Sequence, residues 1–205
     1  MFGQFKTMML LIISCAVLSV PAMTSEQVEG QILGGSLNSP IRLEVFSDFQ
    51  CPACRQLYLE TIRQVLKEYS SKDQVCVIYH EYPLRMHPYS QKAAEYSEAA
   101  AQLGQNTLLQ VMDALFTYQA EWSQDGNLEA VISKALPRED ILKLKKIMQD
   151  PAIEAGIQKQ IQLGEQNNVR STPTIFIYYP PNQHQKVENY VSFLVMKGFI
   201  DDKLK

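Results

Sequence analysis

Apolar positions along the chain follow two spacings, and the switch between them outlines the fold. Ile41 to Phe46 is apolar and β-prone apart from Arg42 and Glu44, which predicts a core strand. Leu57, Thr61, Ile62, Val65, Leu66 and Tyr69 then recur at helical spacing. Val75 to Tyr79 predicts a second strand, and Glu81 to Pro88, interrupted by Pro83 and Pro88, reads as irregular. From Tyr89 to Asn168 the rhythm is helical. Ala93, Ala94, Tyr96, Ala99 and Ala100 mark one helix, and Leu108, Leu109, Met112, Leu115 and Phe116 mark another. Leu128 to Leu136 gives a third, and a fourth opens at or beside Asp140. Asp150-Pro151 starts a fifth, with Asp as cap and Pro in the first turn. Strand signal returns at Thr174 to Tyr179. A turn at Pro180-Pro181-Asn182 leads to a last strand over Val187 to Leu194 and a short helix over Val195 to Leu204.

This order predicts an α/β fold with a mixed sheet, and the helical block is too long for a single crossover. It reads as a helical insertion over 89–168, between core segments at 41–88 and 169–205. Residues 23–40, with Gly30, Gly34 and Gly35, read as a flexible lead-in. Before it, Met8 to Val20 is an apolar run broken only by Ser14, Cys15 and Ser19, followed by Val20-Pro21-Ala22. The run is shorter than the ~20 apolar residues of a membrane span. Residues 1–22 therefore read as an export signal peptide, giving a periplasmic or other extracytoplasmic protein. Ile12-Ile13-Ser14-Cys15 offers a second export route, with Cys15 as a lipidation site. The chain has 205 residues, 46% of them hydrophobic and 20% charged, enough for one domain with a sizeable core. A net charge of −3 gives no electrostatic case for nucleic acid.

Export changes how the cysteines are read, because a cysteine pair outside the cytosol can be oxidised and stay so. Cys51-Pro52-Ala53-Cys54 falls where the first strand turns into the first helix. A sulfur at a helix N-terminus faces unpaired backbone N–H groups, which favour thiolate over thiol. Cys51 is thus the expected nucleophile and Cys54, one turn inside, the expected resolving thiol. Pro52 suits the first helical turn. Val169-Arg170-Ser171-Thr172-Pro173-Thr174 precedes the next strand and supplies a second element.

Together, Phe46 to Cys54, Tyr82-Pro83-Leu84 with His87-Pro88, and Val169 to Pro173 resemble the DsbA-like branch of the thioredoxin superfamily. The resemblance runs from about Ile41 to the C-terminal end. It implies a thioredoxin-like fold with an inserted helical subdomain, and a cis Pro173 facing the cysteine pair. It further implies that Thr172 and Pro173 bind the extended backbone of a cysteine-containing protein substrate. A quinone-linked membrane redox partner follows from the same resemblance, and no bound cofactor is expected. The match departs from the family in two places. Relatives often carry a buried acid six positions before the nucleophile, where this chain has Val45; Glu44 beside it should point to the opposite face. The central dipeptide Pro52-Ala53 lacks the histidine of the strongest oxidants.

Other readings compete. A Cys₃His zinc site could use Cys51, Cys54, Cys76 and His80, although Cys76 in the run Val75 to Ile78 reads more simply as a buried thiol. The pair could also be a structural disulfide in a non-catalytic binding module. Direction of exchange is open too, since thioredoxin-like proteins span roughly −270 to −120 mV. His80, His87 and His184 receive no catalytic role.

Overall fold

The structure, a computed structural model, describes residues 28–205. The expected leader over 1–22, with Cys15, lies outside the described residues.

Five strands form one mixed sheet: β1 (Gln31–Gly34), β2 (Ile41–Ser47), β3 (Val75–Glu81), β4 (Thr174–Tyr179) and β5 (Gln183–Glu188), in the order β1-β3-β2-β4-β5. β2 and β3 run parallel, whereas the β1–β3, β2–β4 and β4–β5 pairs are antiparallel. The parallel pair requires a crossover. It is supplied by α1 (Pro52–Leu57), a π turn (Tyr58–Ile62) and α2 (Arg63–Glu68), which follow one another without a break. α3 (Ser90–Gln102), α4 (Gln105–Thr117), α5 (Gln119–Asp125), α6 (Leu128–Ile132), α7 (Arg138–Ile147) and α8 (Pro151–Gln166) lie between β3 and β4. α9 (Phe193–Lys203) follows β5. As the Asp-Pro pair implies, Asp150 caps α8 by accepting from the Ala152 N–H at 2.9 Å.

The two faces of the central strands bury different things. Leu43 and Val45 of β2 and Val75, Val77 and Tyr79 of β3 join the main core with Cys54, Leu57, Phe116 and Trp122. Phe46 and Phe176 pack on the other face with Val169, Tyr82 and Leu163. α8 lies close over that second face: a Cβ on Gly164 would run into the Tyr82 ring.

Two expectations are corrected. The lead-in is not wholly irregular, because Gln31–Gly34 forms β1 along the outer edge of β3 and buries Leu33. Four residues with a bulge between Ile32 and Gly34 give no readable alternation. The chain then turns through Gly35 (φ +76), where a Cβ would collide with the Val75 carbonyl oxygen. The last strand lies earlier than expected, at Gln183–Glu188, and is mostly exposed. A largely exposed edge strand needs no apolar pattern, while the apolar run from Val191 onward serves α9 instead. Among the described residues, no helix is long and apolar enough to cross a membrane.

Candidate active site

β2 ends at Ser47, and the chain turns tightly, the Cys51 N–H donating to the Asp48 carbonyl at 3.1 Å. Cys51 is the extended residue that precedes α1 (φ −75, ψ 123), with Pro52 in the first helical position. The Cys51 carbonyl accepts from the Arg55 N–H at 3.1 Å, so the helix starts at the first sulfur. Cys51 is 7% exposed and Cys54 1%. The Thr172-Pro173 bond is cis. The Thr172 carbonyl lies 3.4 Å from the Cys51 thiol, which donates to it. The structure thus brings Cys51, Cys54, Thr172 and Pro173 together. The Pro173 carbonyl is held by the Asn189 N–H at 2.9 Å.

The two thiols are displaced in opposite directions. Cys51 is lowered from 9.0 to about 6: the hydrogen bond from Cys54 contributes most, burial opposes it, and the backbone around Cys54 and Ala53 adds to the lowering, with Thr172. Cys54 is raised well above 9.0, chiefly by burial and then by its neighbour Cys51. The Asp48 N–H reaches the Cys54 sulfur at 3.5 Å. One proton of the pair leaves easily and the other is retained.

Asp48, read above only as part of a motif, proves to be the keystone of the turn. Its buried carboxylate accepts from the Gln50 N–H at 2.6 Å and the Leu84 N–H at 2.7 Å. It also takes the Ser90 hydroxyl and pairs with His87 Nδ1 at 2.8 Å. The irregular segment after β3 is thereby tied to the cysteine turn. The helical block grips the same turn from the other side. Gln119 Nε2 donates to the carbonyls of Phe49 (2.7 Å) and Cys51 (3.0 Å). Gln50 donates to the Ser123 carbonyl at 2.9 Å and accepts from the Tyr89 N–H at 2.9 Å. Arg55 Nε donates to the Phe116 carbonyl at 3.0 Å. For Asp48 a local signal existed, an Asx residue two positions before a turn N–H. For Gln119 none did.

The far sheet face separates the other candidates from the cysteines. Cys76, Ile78 and His80 alternate with Val75, Val77 and Tyr79 along β3, so Cys76 and His80 do not converge with Cys51 and Cys54. Burial pushes Cys76 up to about 11, the range of an inert thiol. Val45 is in the main core, and Glu44 turns away, as alternation requires, to Arg42 Nε (2.9 Å) and His80 Nε2 (3.2 Å). His80 stacks on Phe46 with centroids 4.4 Å apart.

A strand-to-helix cysteine pair facing a cis-proline loop on a mixed sheet is the architecture of a redox protein. Residues 27–202 match the family model described as Thioredoxin. The chain belongs to this family, and within it to the DsbA-like thiol:disulfide oxidoreductases. It is 23% identical over 147 residues to the probable disulfide bond formation protein D of Bacillus anthracis, a match covering 70% of this chain and 67% of that protein. Disulfide bond formation protein D of Bacillus subtilis is 22% identical over 190 residues, covering 87% and 79%. The crystal structure of α-DsbA1 from Wolbachia pipientis superposes with a TM-score of 0.70 at 17% identity, covering 91% of this chain and 93% of that one.

Proposed function

We propose that the protein is an exported disulfide donor for cysteine-containing protein substrates, working through Cys51 and Cys54. The observation that carries this reading is the opposite displacement of the two thiols, Cys51 down to about 6 and Cys54 well above 9.0. A thiolate stabilised in the reduced protein makes the disulfide easier to reduce, hence a better oxidant. In the donating cycle a substrate thiolate attacks Cys51 Sγ of the Cys51–Cys54 disulfide. The intramolecular S–S bond breaks, a mixed disulfide forms, and Cys54 leaves and takes up a proton. A second substrate thiolate then attacks the substrate sulfur, forming the substrate disulfide and releasing Cys51 as a thiolate. The reduced pair is reoxidised by a membrane partner linked to quinone.

Thr172 and Pro173 take the role of the substrate platform, with the extended backbone of the substrate laid along the loop. Exposed Met86, Leu194 and Val195 suit an unfolded protein chain. The segment carrying the latter two is tied to the site by the Asn189–Pro173 bond and by the Thr61 hydroxyl on the Val191 carbonyl at 2.7 Å.

The test uses two single variants of the mature protein and a reduced unfolded substrate. Cys51→Ser should abolish exchange, and Cys54→Ser should accumulate mixed disulfides. Wild-type exchange in both would overturn the reading. Equilibration with glutathione fixes the direction: a potential near the oxidising end of the thioredoxin-like range supports a donor, and one near thioredoxin makes the protein a reductase. N-terminal sequencing of the processed protein tests cleavage after residue 22 against lipidation at Cys15.

A further inference from the structure

Cys54 must release and regain a proton in each cycle, yet it is buried and its thiol is raised well above 9.0. Val45, on the cysteine-facing side of β2, offers no acceptor. The neighbouring strand does. In the parallel β2–β3 register Val45 is opposite Tyr79 and Ser47 is opposite Glu81. Register partners on adjacent strands lie about 4.8 Å apart, and residues two positions apart share a face. Val45, Ser47, Tyr79 and Glu81 therefore occupy one patch of the cysteine-facing side of the sheet. All four are buried.

The polar atoms of this patch are left open. Tyr79 Oη, Glu81 Oε1 and Ser97 Oγ of α3 are buried with no hydrogen-bond partner among the described residues. Buried polar groups in folded proteins are nearly always paired, so three together need an explanation. Ser47 lies beside both the Cys54 thiol and the Tyr79 phenol, and favours the charged form of each. It closes no hydrogen bond of good geometry to Tyr79, just as Ser97 closes none to Glu81. The charges of Cys54 and Glu81 both act on Tyr79. A hydroxyl can accept a proton on one lone pair while it donates its own. Ser47 and Tyr79 thus supply the intermediate stations between a thiol and a carboxylate.

We infer that Glu81 is the proton reservoir for Cys54, reached through Ser47 and Tyr79. The inference rests on the exchange chemistry proposed above. When Cys54 closes the pair, its S–H proton passes to the Glu81 carboxylate. Its sulfur bonds to Cys51, the Cys51–substrate bond breaks, and the substrate sulfur leaves as a thiolate. In the donating direction the Glu81 carboxylic acid returns the proton to Cys54 as the pair opens. The groups facing Glu81 favour its protonated form, so a proton delivered there is held. Burial raises it well above 4.5, the Glu98 carboxylate of α3 and Asp48 of the cysteine turn raise it further, and only Ser97 opposes them. α8 presents the neutral Gln160 side chain, whose Oε1 accepts from the Glu81 N–H at 2.7 Å. Glu81 acts through other groups, so it is a positioning residue with a proton-holding role.

The experiment is stopped-flow resolution of the Cys51–glutathione mixed disulfide by Cys54, followed across pH, in the full mature chain and in Glu81→Gln, Glu81→Asp and Tyr79→Phe. Glu81→Gln should slow resolution at neutral pH on the order of 100-fold and leave a rate that only rises with hydroxide. Glu81→Asp should restore part of the rate, and Tyr79→Phe, which removes one station of the relay, should slow resolution and lose the Glu81-dependent inflection as well. Cys51 alkylation should keep its inflection near 6 in all three. A wild-type pH profile of resolution in Glu81→Gln overturns the inference. So does slowing in Glu81→Gln with equal loss of the Cys51 inflection, which would mark structural damage. Failure of the exchange reading looks different, because wild-type Cys51 would then fail to form the mixed disulfide at all.

Discussion

The two central strands carry one glutamate on each face, and the two live in opposite circumstances. On the far face, burial pushes Glu44 up, but the hydrogen bonds and charges of His80 and Arg42 more than offset it and hold the carboxyl below 4.5. On the cysteine face Glu81 has neighbours that are acidic or neutral, and it rises. Sequence distance from the Cys51–Cys54 pair does not separate them, since Glu44 is the nearer. The surrounding charges do. A carboxylate held by a cation and a hydrogen-bonded neighbour is committed to its ionised form and fastens the sheet, whereas one without them can exchange a proton with its surroundings.

The contrast can be broken by stability measurements first. His80→Leu should cost about 2 kcal/mol, because it leaves Glu44 with one partner fewer in a largely enclosed position. Urea unfolding at unchanged slope reads this directly. Glu81→Leu should do the reverse and stabilise by about 1 kcal/mol, since it replaces a carboxyl with an unpaired buried oxygen by an apolar group of similar size. Losses of the same size in both variants would mean that the two faces do not differ as described.

Acid dependence sharpens the same point with opposite signs. Glu44 is lowered on folding, so the unfolded chain binds its proton more readily, and the stabilisation is present above 4.5 and lost as pH falls through the lowered value. Glu81 is raised, so the folded state holds its proton more tightly, and stability falls as pH climbs from 4.5 toward the raised value. Chemical denaturation from about pH 3 to about pH 8 should therefore lose its acid-side rise in Glu44→Gln and its neutral-side decline in Glu81→Gln. The smallest effect belongs to the far face. Cys76→Ala should leave exchange rates unchanged and cost about 1 kcal/mol in packing, and a changed exchange rate would reopen a role for the third thiol.

What was legible in the sequence follows from range. The strand-to-helix setting of the Cys51–Cys54 pair could be read because it depends on neighbours within a few residues: a strand before it, Pro52 at the helix start, an apolar stripe after it. Thr172 lies 121 residues from Cys51 in the contact that joins them, and only resemblance linked the Thr172-Pro173 loop to the cysteines. β1 and β5 were missed or misplaced because one is four residues long and the other is polar apart from Val187. Glu81 read as the start of an irregular segment, although it is the last residue of β3. Its place on the cysteine-facing patch arises from register with Ser47, and register between strands is set by the whole sheet rather than by local pattern. Gln119 is equally mute in sequence: it is one polar residue in a helix, with partners 68 and 70 positions away.

The Gln119 contacts bear on anyone who would transplant this chemistry. The short stretch from Phe49 to Cys54 looks portable, like a cassette to be spliced between any strand and helix. Yet the carbonyls of Phe49 and Cys51 are occupied by a side chain from α5, and Gln50 is answered by Ser123 and Tyr89. A graft without the helical block would carry the sulfurs but leave those carbonyls to water. The smallest unit that can be inherited or engineered whole is the turn together with the helices that hold it.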